Sequence, residues 1–509
     1  MTRGATARRV LFPIRRLFVR VWVYALPLLA LACVTLPHLD QGDWRGDQGW
    51  YGAIGVQAWR TGELWTLMAW DGLRYFNKPP LVFWIHGWVL DRVWVSLAMA
   101  RLPTVFAAGL CVLAATGTAR TLSGRKVGVL SGVALALTYE FFRRTREVSL
   151  DMWQAAFLLL AAWCVAVGVS RGRGAWVAAG GLWIGLAIMT KPLVGLLAIP
   201  MLGAWAAWHG GWGWRRIGVW FGSMTLVALL VAMPWHVSMW LIHGEDFLAR
   251  YFGAEIGARA AGELDPTQGS HKAWWFYLHR FGAHGWPWNL FAVLAACGLA
   301  LGRVPTRHRG LVRLGLVWAV AWIVLLSLFA EKRDRYMLPV HAGVAWLASA
   351  WIVWGGWGWI RRLARLGVRR GAIVLVIGGL VFAALPVRVQ RGMSPEWSAL
   401  IAWIRSTDLT DPSDHDDPRP VLLMGGLGAN DAARVYLYTG WWAGEPMSPA
   451  TDLRGGRVRE PRVGDYLVYE DREGWGPGAG EAVVWTVGPV TLTRLEALPW
   501  SPVRLEEQE

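Results

Sequence analysis

Two charged residues in the first long polar segment of the chain are of types that carry out chemistry. Asp47 lies in the run Gly46–Tyr51, and Lys78 lies in the run Tyr75–Trp84, where a Lys-Pro-Pro turn leads into apolar sequence. An aspartate can act as a general base, and a lysine can stabilise negative charge on a departing group. From spacing alone, the simpler interpretation is a solvated loop acid and a lysine that reaches a lipid headgroup.

The composition indicates that these residues lie in a membrane protein. Of 509 residues, 55% are hydrophobic and only 17% are charged, whereas about a quarter of residues are charged in soluble domains. A chain of this length with so few charges is not a soluble multi-domain protein. The cysteines lie in apolar runs and show neither zinc-ligand nor disulfide spacing: Cys33, Cys111, Cys164 and Cys297.

Eleven apolar stretches are predicted to cross a hydrocarbon core of about 30 Å. The first is expected to be a retained anchor, because it is long and has no small-residue cleavage site. The stretches are 21–38, 96–119, 127–142, 152–169, 174–190, 192–209, 217–241, 286–302, 314–330, 336–357 and 371–387.

The charges between these stretches predict which side faces the cytoplasm. Connecting segments on one side hold 22 Lys and Arg and no Asp or Glu: 1–20, 120–126, 170–173, 209–216, 302–313 and 360–370. The positive-inside rule makes this side cytoplasmic. The net charge of +16 is therefore a topology signal with anionic lipid headgroups as the partner, and no nucleic-acid function is indicated. The long polar segments 39–95 and 242–285 then lie outside.

The composition changes after Val387, so the chain is predicted to divide into a membrane domain, 1–387, and a small α/β domain, 388–509. The second domain carries 12 basic and 19 acidic residues, and eleven spans from a cytoplasmic N-terminus place it outside. Its predicted helices are Pro395–Arg405 and Asn430–Tyr438, and its predicted strands are Val421–Met424, Asp465–Tyr469 and Ala482–Val487.

Several short motifs follow one another at predicted outer edges of the membrane. After the first-loop acid and the F-x-K-P-P-L-x-x-W run come Ala100–Pro103, Arg146–Asp151, Met189–Pro192, Trp274–Tyr277 and Glu331–Pro339. In this order they resemble the GT-C membrane glycosyltransferases, in the branch that contains aminoarabinose transferases of lipid A and protein O-mannosyltransferases. The resemblance covers about residues 20–360 and implies an all-α polytopic fold.

The resemblance also implies an activity, which is inverting transfer of a sugar from a polyprenyl-phosphate carrier to an acceptor on the outer face. Asp47 matches the catalytic acid of the family, and Asp151 matches a second acid of the sugar or acceptor pocket. The residues that match ligands of the carrier phosphate are Lys78, Arg259 and Tyr336. Further candidates for substrate contact are Tyr51, Asn77, Glu255 and Lys332.

Departures from the family pattern bear on cofactor and sugar. In the aminoarabinose branch an acid precedes the motif lysine and a histidine follows the loop glutamate, and both can contribute to a metal site. Here those positions are Asn77 and Ile256, which leave no convincing ligand set. We therefore expect no tightly held zinc, and a weakly held divalent cation is an alternative. We also expect a sugar other than aminoarabinose.

Other charged residues have two interpretations. The arginines Arg143, Arg144 and Arg146 could bind phosphate, but a basic cluster at a span end usually contacts headgroups. Lys191 before Pro192 is equally well explained as a cap on a span end.

The sequence thus predicts a multi-pass glycosyltransferase of the bacterial inner membrane, with its N-terminus in the cytoplasm. Its partners would be a polyprenyl-phosphate-linked sugar donor, membrane lipids and a lipid, glycan or protein acceptor. Two alternatives remain, a transporter or flippase of lipid-linked sugars and an inactive GT-C-like scaffold. A transporter would place ionisable residues at mid-membrane, whereas the predicted spans carry their acids at one edge.

Overall fold

The structure is a computed structural model, and it is mostly helical. It describes residues 21–40, 44, 47–69, 73–191, 194–258, 272–355, 395–407, 422–424, 466–470, 475–476, 481–487, 490–495 and 503–504. The backbone forms two compact units: one holds the described residues within 1–38, 76–81 and 104–386, and the other those within 39–75, 82–103 and 387–509.

Most of the described helices follow the apolar stretches of the sequence. In chain order the helices are α1 Val21–Thr35, α2 Asp47–Thr61, α3 Leu81–Arg92, α4 Leu97–Ser123, α5 Arg125–Ala136, α6 Tyr139–Arg144, α7 Leu150–Arg171, α8 Gly174–Ile188, α9 Ala198–Gly210, α10 Trp214–Leu248, α11 Phe276–His284, α12 Trp288–Ala300, α13 Thr306–Leu328, α14 Leu338–Trp354 and α15 Pro395–Ser406. Helices α2, α3, α11 and α15 lie outside the apolar stretches. A π-helix, Ala249–Ala258, extends α10, and short 3-10 turns occupy Leu36–His38, Val194–Leu197 and Asp334–Met337.

Five of the described helical segments are long and apolar enough to cross a membrane. They are Leu97–Ser123, Leu150–Arg171, Trp214–Gly257, Thr306–Leu328 and Asp334–Trp354, and the shorter apolar helices are α1, α8 and α12. The chain is therefore a polytopic membrane protein. The predicted spans 127–142 and 192–209 contain the shorter helices α5 and α9, and 371–387 lies outside the described residues. The number eleven stays a prediction.

The helix α7 lies at the centre of its unit. It is apolar on all faces, and 83% of its most apolar stretch is buried, against 22% for the stretch that includes α10. Helices α8, α9 and α14 pack against it. Its ends are fixed locally, because the Ser149 hydroxyl accepts a hydrogen bond from the Met152 amide at 3.2 Å and Gly172 adopts the left-handed conformation that ends the helix. An all-round apolar helix is expected in such a buried place.

In the second unit, α2 and α3 cross at two glycines. A Cβ atom added at Gly87 would lie 2.2 Å from the backbone of Gly55, so the helices approach more closely than any side chain would allow. The buried Arg101 side chain holds the start of α2 in position, since it donates hydrogen bonds to the Gln48 side chain at 3.1 Å and to the Leu39 carbonyl at 2.9 Å. These contacts fix the backbone next to Asp47, the first residue of α2.

The described elements near the C-terminus are one helix and two small sheets. One sheet has the strand order β1–β2–β5–β4 and the other pairs β3 with β6; β1 and β2 are parallel and the other pairs antiparallel. The strands are β1 Leu422–Met424, β2 Tyr466–Glu470, β3 Trp475–Gly476, β4 Glu481–Val487, β5 Val490–Leu495 and β6 Val503–Arg504. The helix α15 and strands β1, β2 and β4 lie within one residue of their predicted ranges. The predicted helix Asn430–Tyr438 lies outside the described residues.

Candidate functional site

A cavity of about 130 Å³ lies in the first unit, where several helix ends meet. Its ionisable lining residues are Lys78, Asp151, Lys191, Glu255, Glu331, Arg335 and Tyr336, and Gln154 adds an amide. The rest of the wall is apolar: Ile256, Trp322, Leu325, Leu326, Phe329 and Pro339. A cavity that is lined by both charged and apolar side chains suits a ligand that joins a charged group to a hydrocarbon chain.

Asp151 lies at the N-terminal turn of α7 and faces two cations. The Lys191 ammonium lies 2.5 Å from one carboxylate oxygen, and the Arg335 guanidinium lies 3.4 Å from the other. The buried carboxylate is further favoured by its place at the start of a helix. Two cations from remote segments of the chain therefore converge on one buried carboxylate.

Lys78 and Glu255 form a second buried ion pair in the same cavity. The Lys-Pro-Pro turn that carries Lys78 is fixed by Phe76, whose ring lies 5.0 Å from His243 and 5.9 Å from Phe247. Glu255 comes from the π-helix that follows α10. An anion that binds the Lys78 ammonium would therefore share it with the Glu255 carboxylate.

Tyr336 lies in the 3-10 turn Asp334–Met337, with the Lys191 ammonium 4.2 Å from its ring centre. A cation over an aromatic face is attracted to it, so this ring helps to hold Lys191 beside Asp151. The turn is anchored in α11, because Arg280 pairs with Asp334 at 2.9 Å and the Tyr277 hydroxyl accepts from the Arg333 amide at 3.1 Å. Burial raises the pKa of Tyr277 above its usual value, which keeps this hydroxyl protonated.

Two buried donors that line the cavity have no hydrogen-bond partner among the described residues. They are the side-chain amide nitrogen of Gln154 and the indole nitrogen of Trp322. Buried donors are normally paired, so both are available to the oxygens of a ligand. The sequence reasoning missed them, together with Arg335. A signal for Gln154 exists, since it follows Asp151 by three residues on the same helix face.

The remaining predicted site residues lie elsewhere or are not described. Tyr51 is half-buried with its ring 5.3 Å from Phe83 in the second unit, and Asn77 is exposed. The buried Lys332 ammonium donates to the Phe329 carbonyl at 2.7 Å, and Lys332 is not among the residues that line the cavity. The side chain of Asp47 and the whole of Arg259 lie outside the described residues.

The basic cluster before α7 is occupied by acids of the chain itself. Glu140 is buried and accepts from Arg143 at 2.8 Å and from Arg144 at 2.7 Å. Arg144 also donates to Glu147, and Arg146 donates to the Val34 carbonyl. The contacts of these arginines are therefore mainly within the protein.

No group of three or more His, Cys, Asp and Glu residues in the described part of the chain is arranged to hold a metal ion. At the two positions where the aminoarabinose branch supplies an acid and a histidine, this chain has the exposed amide of Asn77 and the aliphatic Ile256.

Comparison with known proteins confirms the resemblance to the GT-C membrane glycosyltransferases that the motifs predicted. Residues 77–240 match the family model of dolichyl-phosphate-mannose-protein mannosyltransferase. Among solved structures, ArnT from Cupriavidus metallidurans bound to undecaprenyl phosphate superposes with a TM-score of 0.72 at 20% identity, over 93% of this chain and 97% of that one. The oligosaccharyltransferase AglB from Archaeoglobus fulgidus gives 0.55 at 12% identity, over 90% and 70%.

Curated relatives point to the same branch. The undecaprenyl phosphate-alpha-4-amino-4-deoxy-L-arabinose arabinosyl transferase 1 of Pseudomonas fluorescens is 29% identical over 71% of this chain. The corresponding transferase of Edwardsiella ictaluri is 26% identical over 65% of this chain. The matches span 65% and 59% of the lengths of these two relatives.

Proposed function

We propose that this protein is an inverting glycosyltransferase that moves a sugar from a polyprenyl-phosphate carrier to a lipid, glycan or protein acceptor. The observation that carries the proposal is the cavity that unites Lys78, Asp151, Lys191, Arg335 and Tyr336 beside an apolar wall. The relatives are named for donors with an undecaprenyl phosphate carrier, and such a donor joins a phosphate to a long hydrocarbon chain.

Each proposed role follows from the charge that changes during transfer. Asp47 takes the proton of the acceptor hydroxyl, and the acceptor oxygen attacks the anomeric carbon from the face opposite the phosphate. The bond from that carbon to the phosphate oxygen breaks, and the phosphate leaves with the electron pair. Lys78, Arg259 and Tyr336 stabilise the leaving group by charge-assisted and neutral hydrogen bonds.

Asp151 and the unpaired donors are assigned to the sugar or the acceptor. Lys191 and Arg335 orient the Asp151 carboxylate, while Gln154 and Trp322 offer N–H groups to sugar or phosphate oxygens. We propose no tightly held metal in this chemistry. A sugar other than aminoarabinose stays part of the proposal.

The proposed orientation puts this cavity on the outer side of a bacterial inner membrane. The N-terminus lies in the cytoplasm, and residues 388–509 form a small outer domain. The excess of Lys and Arg in the segments of the opposite side supports this orientation.

The experiment is to identify the lipid-linked sugar that accumulates in a strain that lacks the gene, by mass spectrometry of extracted polyprenyl phosphates. The wild-type gene should clear the accumulated donor. The Asp47→Asn variant should fail to clear it, because a lost general base typically costs about 10²–10⁴ in rate. The Lys78→Gln variant should also fail, because it removes a positive charge that stabilises the leaving phosphate. Matched controls are Arg74→Gln and Asp40→Asn, which change exposed residues of the same charge near each site.

Two outcomes would contradict the proposal. Absence of any accumulated lipid-linked sugar would remove the donor assignment. Clearance by Asp47→Asn as complete as by the wild type, with Lys78→Gln inactive, would indicate transport of the lipid-linked sugar instead of transfer.

A further inference from the structure

A second cavity lies at the opposite end of the membrane helices from the candidate site. It is lined by the end of α4, the starts of α5 and α13, and Val353 near the end of α14, and its volume is about 620 Å³. The start of α13 at His308 and the candidate site at Trp322 lie on one helix about 21 Å apart, at 1.5 Å per residue. The two cavities are therefore separate.

The lining of this cavity is strongly cationic. Arg120, Arg125, Lys126 and Arg307 contribute four positive charges, and no Asp or Glu is among the described residues that line it. Most of the lining comes from two connecting segments, 120–126 and 302–313, which hold no acid at all. The structure brings these two segments together at one end of the helices.

Two helix N-termini meet in the same place without a capping side chain. Helix α5 begins at Arg125 after Gly124, and helix α13 begins at Thr306 after Pro305; neither preceding residue supplies a side-chain cap, and neither first turn holds an acid. The N-terminus of a helix carries partial positive charge and free amide donors, which favour an anion.

The approach of Arg307 to α5 depends on a glycine. Gly124 has φ +93°, and a Cβ atom added there would lie 2.4 Å from the Arg307 guanidinium. A side chain at this position would therefore push Arg307 away from the start of α5.

Two buried polar side chains that line this cavity lack a partner in the described part of the chain. They are the Ser123 hydroxyl and the Nδ1 atom of His308, and these residues are only 3% and 8% exposed. Buried groups of this kind are normally satisfied by protein, water or ligand. With four cations and two helix N-termini around them, the ligand that satisfies them best is an anion that also accepts hydrogen bonds.

We propose that this cavity binds a phosphate group, carried either by an anionic phospholipid headgroup or by a soluble phosphate compound. Lys126 and Arg307 supply charge-assisted hydrogen bonds, the two helix starts supply backbone amides, and Ser123 and His308 complete the shell. The site is independent of the proposed transfer reaction, because none of its residues lines the candidate active site.

The test compares binding of two probes to the purified full-length protein in non-ionic detergent. Phosphatidylglycerol is titrated and counted by native mass spectrometry, with zwitterionic phosphatidylcholine as the reference without net charge, and inorganic phosphate is titrated in a thermal unfolding assay. The double variant Lys126→Gln/Arg307→Gln removes two charges of the site. The control Arg215→Gln/Arg303→Gln removes two exposed charges from predicted connecting segments of the same side, outside the cavity.

We expect one phosphate-dependent site whose affinity falls about tenfold for each charge-assisted hydrogen bond removed, with the control unchanged. Loss for phosphatidylglycerol alone assigns the phosphate to a lipid, and loss for inorganic phosphate as well assigns it to a soluble compound; both support the site. Equal loss in both double variants, or binding that neither changes, would overturn it. The single variant Lys126→Gln, at an exposed residue, repeats the test if the double variant does not fold.

Discussion

Asp151 is a buried acid whose charge is balanced by residues from two other segments. Lys191 approaches one carboxylate oxygen at 2.5 Å and Arg335 the other at 3.4 Å. Removal of one partner from a buried ion pair leaves a charge without compensation, which typically destabilises a protein by about 3–5 kcal/mol. Because Asp151 contacts two cations, the change in free energy of unfolding on a single substitution does not isolate the contribution of either ion pair.

A double-mutant cycle of Asp151→Asn and Lys191→Met should reveal the coupling. The losses in free energy of unfolding of the two single variants should add up to more than the loss of the double variant. The difference, which is the coupling energy, should be about 1–3 kcal/mol. Thermal unfolding of the purified protein in detergent measures the four members of the cycle.

The pair Arg60–Asp91, with 3.4 Å between its charged atoms and with Arg60 on the surface, is the matched control. A surface pair is screened by solvent, so the cycle of Arg60→Gln and Asp91→Asn should give a coupling below about 1 kcal/mol. Equal couplings in the two cycles would show that the Asp151 pair gains nothing from its burial.

The residues of the site were predictable to different degrees. Asp151, Glu255, Lys78 and Tyr336 line one cavity, and all four were singled out because they lie at positions that match motifs of the resembled family. Lys191 was equally consistent with a helix cap, and the sequence could not decide, because its partner Asp151 is remote in the chain. The indole of Trp322 carries no signal in a chain with 38 tryptophans.

At the scale of elements, the crossing of α2 and α3 depends on the absence of two side chains. The backbones of Gly55 and Gly87 occupy the space that a Cβ atom would need. The start of α2 carries Asp47, so a shift of this crossing would move the proposed base.

The variant Gly87→Ala should therefore destabilise the protein by about 1–3 kcal/mol, the usual cost of inserting a methyl group into a packed interface. Thermal unfolding in detergent and the yield of folded protein measure the effect. Gly222→Ala in α10 is the control, since a Cβ atom there meets nothing within 4 Å. Alanine favours a helix over glycine, so the control should be neutral or slightly stabilising.

Hydropathy predicted where the helices lie better than where they end. The predicted span 127–142 breaks after Ala136, because Thr138 leaves the helical conformation and precedes the separate helix α6. An average over a window does not detect such a break between two apolar helices. Near the C-terminus, alternation of apolar residues predicted β1, β2 and β4, whereas β5 was missed because its run Val490–Leu495 follows β4 almost directly.

At the scale of the whole molecule, the two cavities lie at opposite ends of α13 and α14. The candidate active site is lined by the end of α13 and the start of α14, and the cationic cavity by the start of α13 and the end of α14. If the proposed orientation holds, one cavity faces the outside and the other the cytoplasm.

Single cysteines placed at Ser398 and Thr306 in a background without the four native cysteines test this orientation. A membrane-impermeant thiol reagent applied to intact cells should label the Ser398 position and leave the Thr306 position unlabelled until the cells are opened. Labelling at Thr306 but not at Ser398 would reverse the orientation and exclude an active site on the outer face.

The residues that line the candidate active site are spread from Lys78 to Pro339, which has a consequence for the synthesis of the protein. At about 5–20 residues per second, translation needs on the order of tens of seconds to advance from the first of these residues to the last. During that interval Asp151 is in the nascent chain without Arg335, and Lys78 is without Glu255 until the π-helix emerges. A chain that is released before Tyr336 can enter the membrane, yet it holds only part of the cavity lining.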